Sequence, residues 1–486
     1  MLIRSAISRL AIAGIALAVL QGCAVGPNYV RPAPTAVPAQ FAGAAGIWKV
    51  AQPRAQLPRG NWWEMFGDPE LNSLEEQALA SNQQLEAAVQ RFFEARDTVA
   101  QTRSGLFPDL SLPASFEHNR ISPNRPRIAT GLPIGHPTTY NDFITGLDLG
   151  YEVDLWGLVR RSVESSRAQF QATADDLGTL QLEIQADVAV DYFSLRALDA
   201  EQAVLTSSVS VFSKSYNLTT NRFAGGLGNE LEVAQAQTVL ENTEAQVPVV
   251  ALDRARFEHA LALLVGQPAS TFRLPVRVLS GAPPVIPPGL PSELLERRPD
   301  ISAAERHMAA ANAEIGVARA AFFPSVQLNG LAGFESLSVG TFLYWPSRFW
   351  AVGPTVNAPL FEGGRLRANL HLAQATYQEI IDNYRQTVLA AFQDVEDNLA
   401  AQNLLASQYA IQSRALMAAR RQLNAANDRY QDGLVTYLEV ATAETTELTI
   451  EFSTVQLRGQ QFVAAVTLVK ALGGSWQPPM NAQAAR

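Results

Sequence analysis

The feature that most constrains this chain is that it is written twice. Arg222-Phe223-Ala224-Gly225-Gly226-Leu227 leads into Leu231-Glu232-Val233-Ala234-Gln235-Ala236. Arg429-Tyr430-Gln431-Asp432-Gly433-Leu434 leads into Leu438-Glu439-Val440-Ala441-Thr442-Ala443, an offset of 207 (429 − 222). The same offset relates Gly157 to Gly364, Asp187-Val188 to Asp394-Val395, and Gly266 to Gly473. Upstream, Phe107-Pro108 answers Phe323-Pro324 at 216 (323 − 107), so the first copy carries extra residues between these landmarks. A repeat of this kind specifies one supersecondary plan used twice, not a string of unrelated domains.

The plan is readable from its breakers. In each copy a helical pattern (70–105 and 300–321) stops at Pro108 or Pro324, where the ring blocks continuation. Two alternating stretches and a glycine follow. Then comes a run without proline, 160–221 and 365–428, which as a helix would extend roughly 90 Å. A glycine turn reverses the chain into return helices at 230–265 and 437–472; Pro248 should kink or shorten the first of them. Helices that long, rich in Ala, Gln, Glu and Leu, must lie against partners along their whole extent. The expected organisation is a leader 1–22, an extended segment 23–69, repeat 1 at 70–267, a proline-rich linker 268–299, repeat 2 at 300–474 and a tail 475–486.

Four stretches alternate with period two: 109–118, 142–154, 325–335 and 349–360. Leu110, Leu112, Ala114 and Phe116 share one face of the first. Phe143, Leu147, Leu149 and Tyr151 oppose Asp142, Asp148 and Glu152 in the second. Val326, Leu328, Ala332 and Phe334 share a face of the third, and Trp350, Val352, Val356 and Leu360 a face of the fourth. Alternation alone also suits a soluble sandwich with one wet face. If these strands cross a bilayer, however, four cannot close a conducting barrel, and open edges are not tolerated in lipid. Three chains would supply twelve strands. Tyr140, Tyr344, Trp345 and Trp350 could serve as interfacial anchors.

The start of the chain points to a compartment. Arg4 and Arg9 flank a short apolar stretch ending in Leu20-Gln21-Gly22-Cys23, which resembles a bacterial lipobox with Cys23 as the acylated residue. Cys23 is the only cysteine of the 486 residues, which excludes an intrachain disulfide and a cysteine zinc site. A net charge of −9 argues against a nucleic-acid partner. His118, His136, His259, His307 and His371 form no ligand-spaced pair, and neither a nucleophile elbow nor a phosphate loop is present, so no enzyme, metal site or cofactor is expected.

Several segments together resemble the outer membrane factors, the TolC and OprM type. They are Gly22-Cys23-Ala24-Val25-Gly26-Pro27-Asn28-Tyr29, Trp62-Trp63 with Phe66-Asp68-Pro69, Tyr151-Glu152-Val153-Asp154-Leu155-Trp156-Gly157, Leu295-Glu296-Arg297-Arg298-Pro299-Asp300-Ile301 and Phe323-Pro324. The resemblance implies a mainly α fold with β: a trimer whose four strands per chain complete a twelve-stranded outer-membrane barrel, continuing into a periplasmic helical barrel. It implies a lipid-anchored outer-membrane export channel for small molecules, with a periplasmic adaptor and an inner-membrane pump of the resistance-nodulation-division class as partners. By the same resemblance Glu232, Glu439 and Tyr430 belong to the periplasmic entrance and Leu438 to its apolar plug. Gly226, Leu227, Gly433 and Leu434 form the tips that meet the adaptor. Val435 stands where TolC has an arginine. Glu232 and Glu439 also suit the amino-terminal turn of any helix. The alternatives are a duct for type I protein secretion, or a lipid-anchored periplasmic coiled-coil scaffold; the latter leaves the four amphipathic strands unexplained.

Overall fold

The computed structural model of the protein describes residues 24–31, 61–122, 138–286 and 297–474. The described residues fall into two compact units. The first comprises 24–31, Phe93–Gln171 and Glu305–Asp382; the second comprises 61–92, 172–286, 297–304 and 383–474.

The helices are α1 (Pro69–Ser81), α2 (Gln83–Ser104), α3 (Leu158–Ala224), α4 (Glu230–Leu264), α5 (Pro299–Ala320), α6 (Arg365–Gln431) and α7 (Tyr437–Ala471). The strands are β1 (Asp109–Ser111), β2 (Ala114–Ile121), β3 (Thr138–Glu152), β4 (Ser325–Ser336) and β5 (Arg348–Asn357). The offset of 207 recurs in these bounds. Helices α3 and α6 each hold 67 residues, α4 and α7 each hold 35, and both pairs begin 207 apart (365 − 158 and 437 − 230).

The sheet belongs to the first unit. It is antiparallel, with β3 flanked by β4 on one side and by β1 and β2 on the other, and β5 beyond β4. The register places Leu110, Leu149, Gly330 and Val352 in one cross-strand row and Leu147, Ala332 and Trp350 in the next. Ser111, Asp148, Leu331 and Ala351 form a row of the opposite side, as do Glu152, Gln327 and Thr355. Side chains alternate across a pleat, so one side is apolar and the other mostly polar. Leu110, Phe116, Leu147, Trp350 and Val352 lie exposed on the apolar side. Two expectations shift. The first alternating stretch is split at Leu112-Pro113, because proline has no N–H to donate to a ladder; the Pro113 carbonyl still accepts from Gly146 N at 3.3 Å and Thr145 Oγ1 at 3.1 Å. The last strand ends at Asn357, so Leu360 lies beyond it, and Tyr140 pairs Asn119 on the side opposite Trp350. Among the described residues no helix is long and apolar enough to cross a membrane.

The core of the second unit gathers Trp62, Trp63, Leu71, Leu74, Ile184, Phe193, Val395 and Phe462. Equivalent positions of the two copies meet in it: Val188 with Val395, Leu261 with Leu468 and Val265 with Leu472. Phe193 packs at 4.9 Å from Phe66 and 4.8 Å from Phe462 between ring centroids. Trp62–Phe66 is a 3-10 turn, so the chain before α1 is not extended throughout. Asp68 caps α1 by accepting from Glu70 N at 3.0 Å, with Pro69 at the first helical position.

The single helix expected over 70–105 is divided at Asn82. Its Oδ1 accepts from Gln84 N and Leu85 N, while its Nδ2 donates to the Leu264 carbonyl at 2.8 Å. An asparagine that caps the next helix while bonding elsewhere competes with helix continuation. Pro248, by contrast, does not end α4. One missing hydrogen bond is outweighed where Val247 and Val250 pack with Leu205, Phe212 and Leu448. The proline-rich segment is also tied down. Buried Arg196 donates to Asp199 (2.6 Å), Glu70 (2.6 Å) and the Pro275 carbonyl (2.7 Å), while Arg254 donates to Asp199 at 2.6 Å. Arg277 reaches Asp68 and Tyr192. Buried charges must be paired and bonded to be tolerated, and this network makes the segment after Pro268 a structural part of the unit.

Candidate functional site

The free ends of the two helical hairpins, all in the second unit, hold the residues expected to form an entrance. Both turns are the same backbone device. Gly226 N donates to the Phe223 carbonyl (3.0 Å) and Leu227 N to the Arg222 carbonyl (2.8 Å); Gly433 N donates to Tyr430 (3.1 Å) and Leu434 N to Arg429 (2.9 Å). Gly226 and Gly433 both have φ +74°, which is why glycine occupies them: this is the left-handed cap of a Schellman turn. Asn229 Oδ1 then caps α4 by accepting from Glu232 N at 3.0 Å. Leu227 and Leu434 project as the exposed points of the turns, at 75% and 68% exposure.

Behind the second tip the four helices are tied by one cluster. Tyr430 and Tyr437 are buried, with rings edge to face at 5.7 Å, among Ala236, Ala426, Val440, Ala441 and Ala443. The Arg222 guanidinium of α3 stands 4.9 Å over the Tyr430 ring. The Tyr430 hydroxyl points at Glu232 Oε2 of α4 at 3.4 Å, long for a hydroxyl hydrogen bond. Tyr437 donates to Glu444 Oε2 at 2.9 Å, and Ser215 of α3 donates to Glu444 Oε1 at 2.6 Å. Burial pushes the Glu444 carboxyl up, against the two hydroxyls that favour its charged form. Both phenols are raised by burial too, Tyr430 further by the charge of Glu232 and Tyr437 by that of Glu444.

Of the residues expected at an entrance, the fold thus brings Tyr430 and Glu232 together. Leu438 and Glu439 face outward, Leu438 at 55% exposure. Glu439 lies 3.9 Å from Arg429, a half-exposed pair worth little by itself. Arg429 thus stands beside Glu439 as a cation of this end, while Val435 packs against the tyrosine cluster. Ser215, Tyr437 and Glu444 were not singled out from sequence. The one available signal was the repeat: at the offset of 207, Tyr437 replaces Glu230 and Glu444 replaces Gln237.

In the first unit, three of the motifs that carried the resemblance meet. Val25 N donates to the Trp156 carbonyl at 3.0 Å, and Ala24 lies so close to Gly157 that a Cβ there would come within 2.9 Å of the Ala24 Cα. Arg161 donates to Asn28 Oδ1 (2.9 Å) and the Val25 carbonyl (3.3 Å), Asn312 to the Pro27 carbonyl (3.0 Å), and Tyr29 to Glu305 (2.8 Å). Trp156 donates to the Pro324 carbonyl at 2.8 Å and stacks on Phe323 at 4.7 Å. Asp154 accepts from Val159 N and Arg160 N, starting α3. Cys23, the expected lipidation site, lies outside the described residues.

A sheet with one apolar side, carried by a chain with two long helical hairpins, is the make-up of an outer-membrane channel protein. The profile of the family described as outer membrane efflux protein matches residues 74–267 and again 290–474. The chain is 33% identical over 422 residues to the pyoverdine export outer membrane protein OpmQ of Pseudomonas aeruginosa, covering 86% of this chain and 87% of that one. It is 31% identical to the cation efflux system protein CusC of Escherichia coli, covering 95% of this chain and 98% of that one. The solved outer-membrane channel OprN superposes with a TM-score of 0.86 at 31% identity, covering 94% of this chain and 100% of that one. The chain belongs to the outer membrane efflux protein family. It is an outer-membrane efflux channel component with a large periplasmic helical part, and the family it joins is one of transport channels.

Proposed function

We propose that three copies of this chain close a twelve-stranded barrel in the outer membrane, β1 and β2 together counting as one interrupted strand of each chain, and form the exit duct of a tripartite pump for small molecules such as drugs or toxic compounds. The observation that carries this reading is the sheet. Its apolar side is exposed, and β5 on one edge and β1 with β2 on the other have no further strand beside them among the described residues. Unpaired strand edges are too costly in hydrocarbon, so closure must come from other chains. Acylation of Cys23 tethers each chain to the membrane. Leu227 and Leu434, presented by Gly226 and Gly433, dock a periplasmic adaptor, which links the duct to an inner-membrane pump of the resistance-nodulation-division class. Leu438 seals the entrance from within, with Tyr430 behind it and Glu232 and Glu439 as its polar rim; an apolar constriction resists ions by dewetting.

Native mass spectrometry of the full chain in mild detergent tests the closure. The expected result is three chains per particle, each carrying acyl mass on Cys23. A stable monomer that keeps its β signal would overturn the barrel, and an unmodified Cys23 would overturn the tether.

A further inference from the structure

On the apolar side of the sheet the pattern changes toward one end. Past Phe116, β2 places His118 and Arg120 on that same side, opposite Asn141 and Thr139 of β3. Strand β5 opens with Arg348, also on that side and opposite Phe334. His118 and Arg120 lie toward the end of β3 remote from Asp154 and Gly157, where β3 leads into α3; Arg348 lies at the corresponding end of β5, level with Thr145 midway along β3. The carboxylates of this end, Glu117, Asp142 and Glu335, alternate onto the other side. Both arginines are exposed.

Arg348 is held in place. Its guanidinium stands 4.1 Å over the Trp345 ring and Nη1 donates to the Trp345 carbonyl at 3.0 Å. That leaves the remaining N–H groups of a rigid fork directed to other acceptors. Tyr344, Trp345 and Trp350, all exposed, surround the same end. Amphipathic aromatic rings of this kind settle at headgroup level. A guanidinium on a lipid-facing side is costly unless an anion meets it, and its planar fork matches two oxygens of a phosphate group bidentately.

We propose that Arg120 and Arg348 bind phosphate groups of a phosphorylated glycolipid of the outer leaflet, at two points on the lipid-facing rim of the sheet. Their rows cross β3 at Thr139 and Thr145, six residues apart, so the two contacts are separated by about 20 Å along the strands. The proposal rests on the barrel reading in taking the apolar side as the lipid side.

Full-length protein in mild detergent is mixed separately with bisphosphorylated lipid A, its dephosphorylated form and phosphatidylglycerol, and retained lipid is measured by native mass spectrometry. Lipid A is expected to be retained about tenfold better than its dephosphorylated form, a margin one charge-assisted contact can supply. Arg120→Gln and Arg348→Gln should each cut that preference, and together erase it. Equal retention of the two lipid A forms, an unaltered double variant, or phosphatidylglycerol held as strongly as lipid A overturns the proposal. The same spectra report the particle mass. Trimers without the preference sink this inference alone, whereas failure to form trimers indicts the barrel.

Discussion

The two hairpin tips share a turn and differ in almost everything behind it. Both reverse through a glycine at φ +74° with the same pair of backbone bonds, because the geometry of a Schellman turn admits little else. At the offset of 207, exposed Phe223, Glu230 and Gln237 of the first copy correspond to buried Tyr430, Tyr437 and Glu444 of the second. The Gln237 side chain bonds its helical neighbour Glu241, at 2.7 Å, whereas Glu444 reaches α3 through Ser215. Backbone physics has kept the turns alike; side-chain burial has put Tyr430, Tyr437 and Glu444 of the second hairpin inside the cluster, where Ser215, Arg222 and Glu232 of the first reach them. In the proposed entrance, the Tyr437–Glu444 contact of the second hairpin would serve as the lock.

The largest expected effect treats the tips as equal. Gly226→Trp and Gly433→Trp both have open space for a side chain but demand a left-handed backbone, a strain of about 1 kcal/mol. Each should abolish efflux-dependent drug resistance in cells while trimer abundance holds. Loss at one tip alone would show that only that hairpin docks.

A middle-sized effect should separate them. Glu444→Ala strips the acceptor from the buried Tyr437 hydroxyl, at about 1–3 kcal/mol, and from the half-buried Ser215 hydroxyl at less. It should raise single-channel conductance and admit bulky antibiotics without a working pump, as should Leu438→Ala. The equivalents Gln237→Ala and Leu231→Ala should leave planar-bilayer recordings unchanged. Matching traces from both copies would contradict a lock confined to the second hairpin.

The smallest effect concerns Glu201, whose equivalent in the second copy is exposed Gln408. Burial, aided by the charge of Asp253, pushes the Glu201 carboxyl up to about 7. The folded state therefore favours the protonated form. Its contribution is complete below the ordinary carboxylate range and is lost as pH rises through about 7. Glu201→Gln should raise the thermal midpoint by about 1–2 °C at pH 8 and not at pH 5; a gain of the same size at both pH values would rule this origin out.

Much of the fold was legible because it rests on local rules. Missing prolines marked the long helices to within a few residues, glycines marked the tips, and alternation marked which side of each strand is apolar. The misses were places where a side chain competes with the backbone over distance. Asn82 breaks a helix by reaching Leu264, and Pro248 fails to break one because its neighbours are packed. The candidate site was half legible for the same reason. Tyr430 and Glu232 came with the resemblance. The Ser215–Glu444 contact joins residues 229 positions apart and leaves no periodic trace in the chain.

The prolines of the sheet have one more consequence. Pro113 interrupts the column at one edge, and Pro354 sits in β5 at the other. These are the two edges that meet between chains in the proposed barrel. A residue without an N–H cannot donate to a ladder, and proline at a sheet edge blunts that edge. In the proposed barrel a seam slipped by one residue would turn every apolar side chain to the wrong side. The same prolines make either edge a poor template for a stray strand before assembly. In that barrel, side-chain alternation would police the register and the edge prolines would discourage stray pairing.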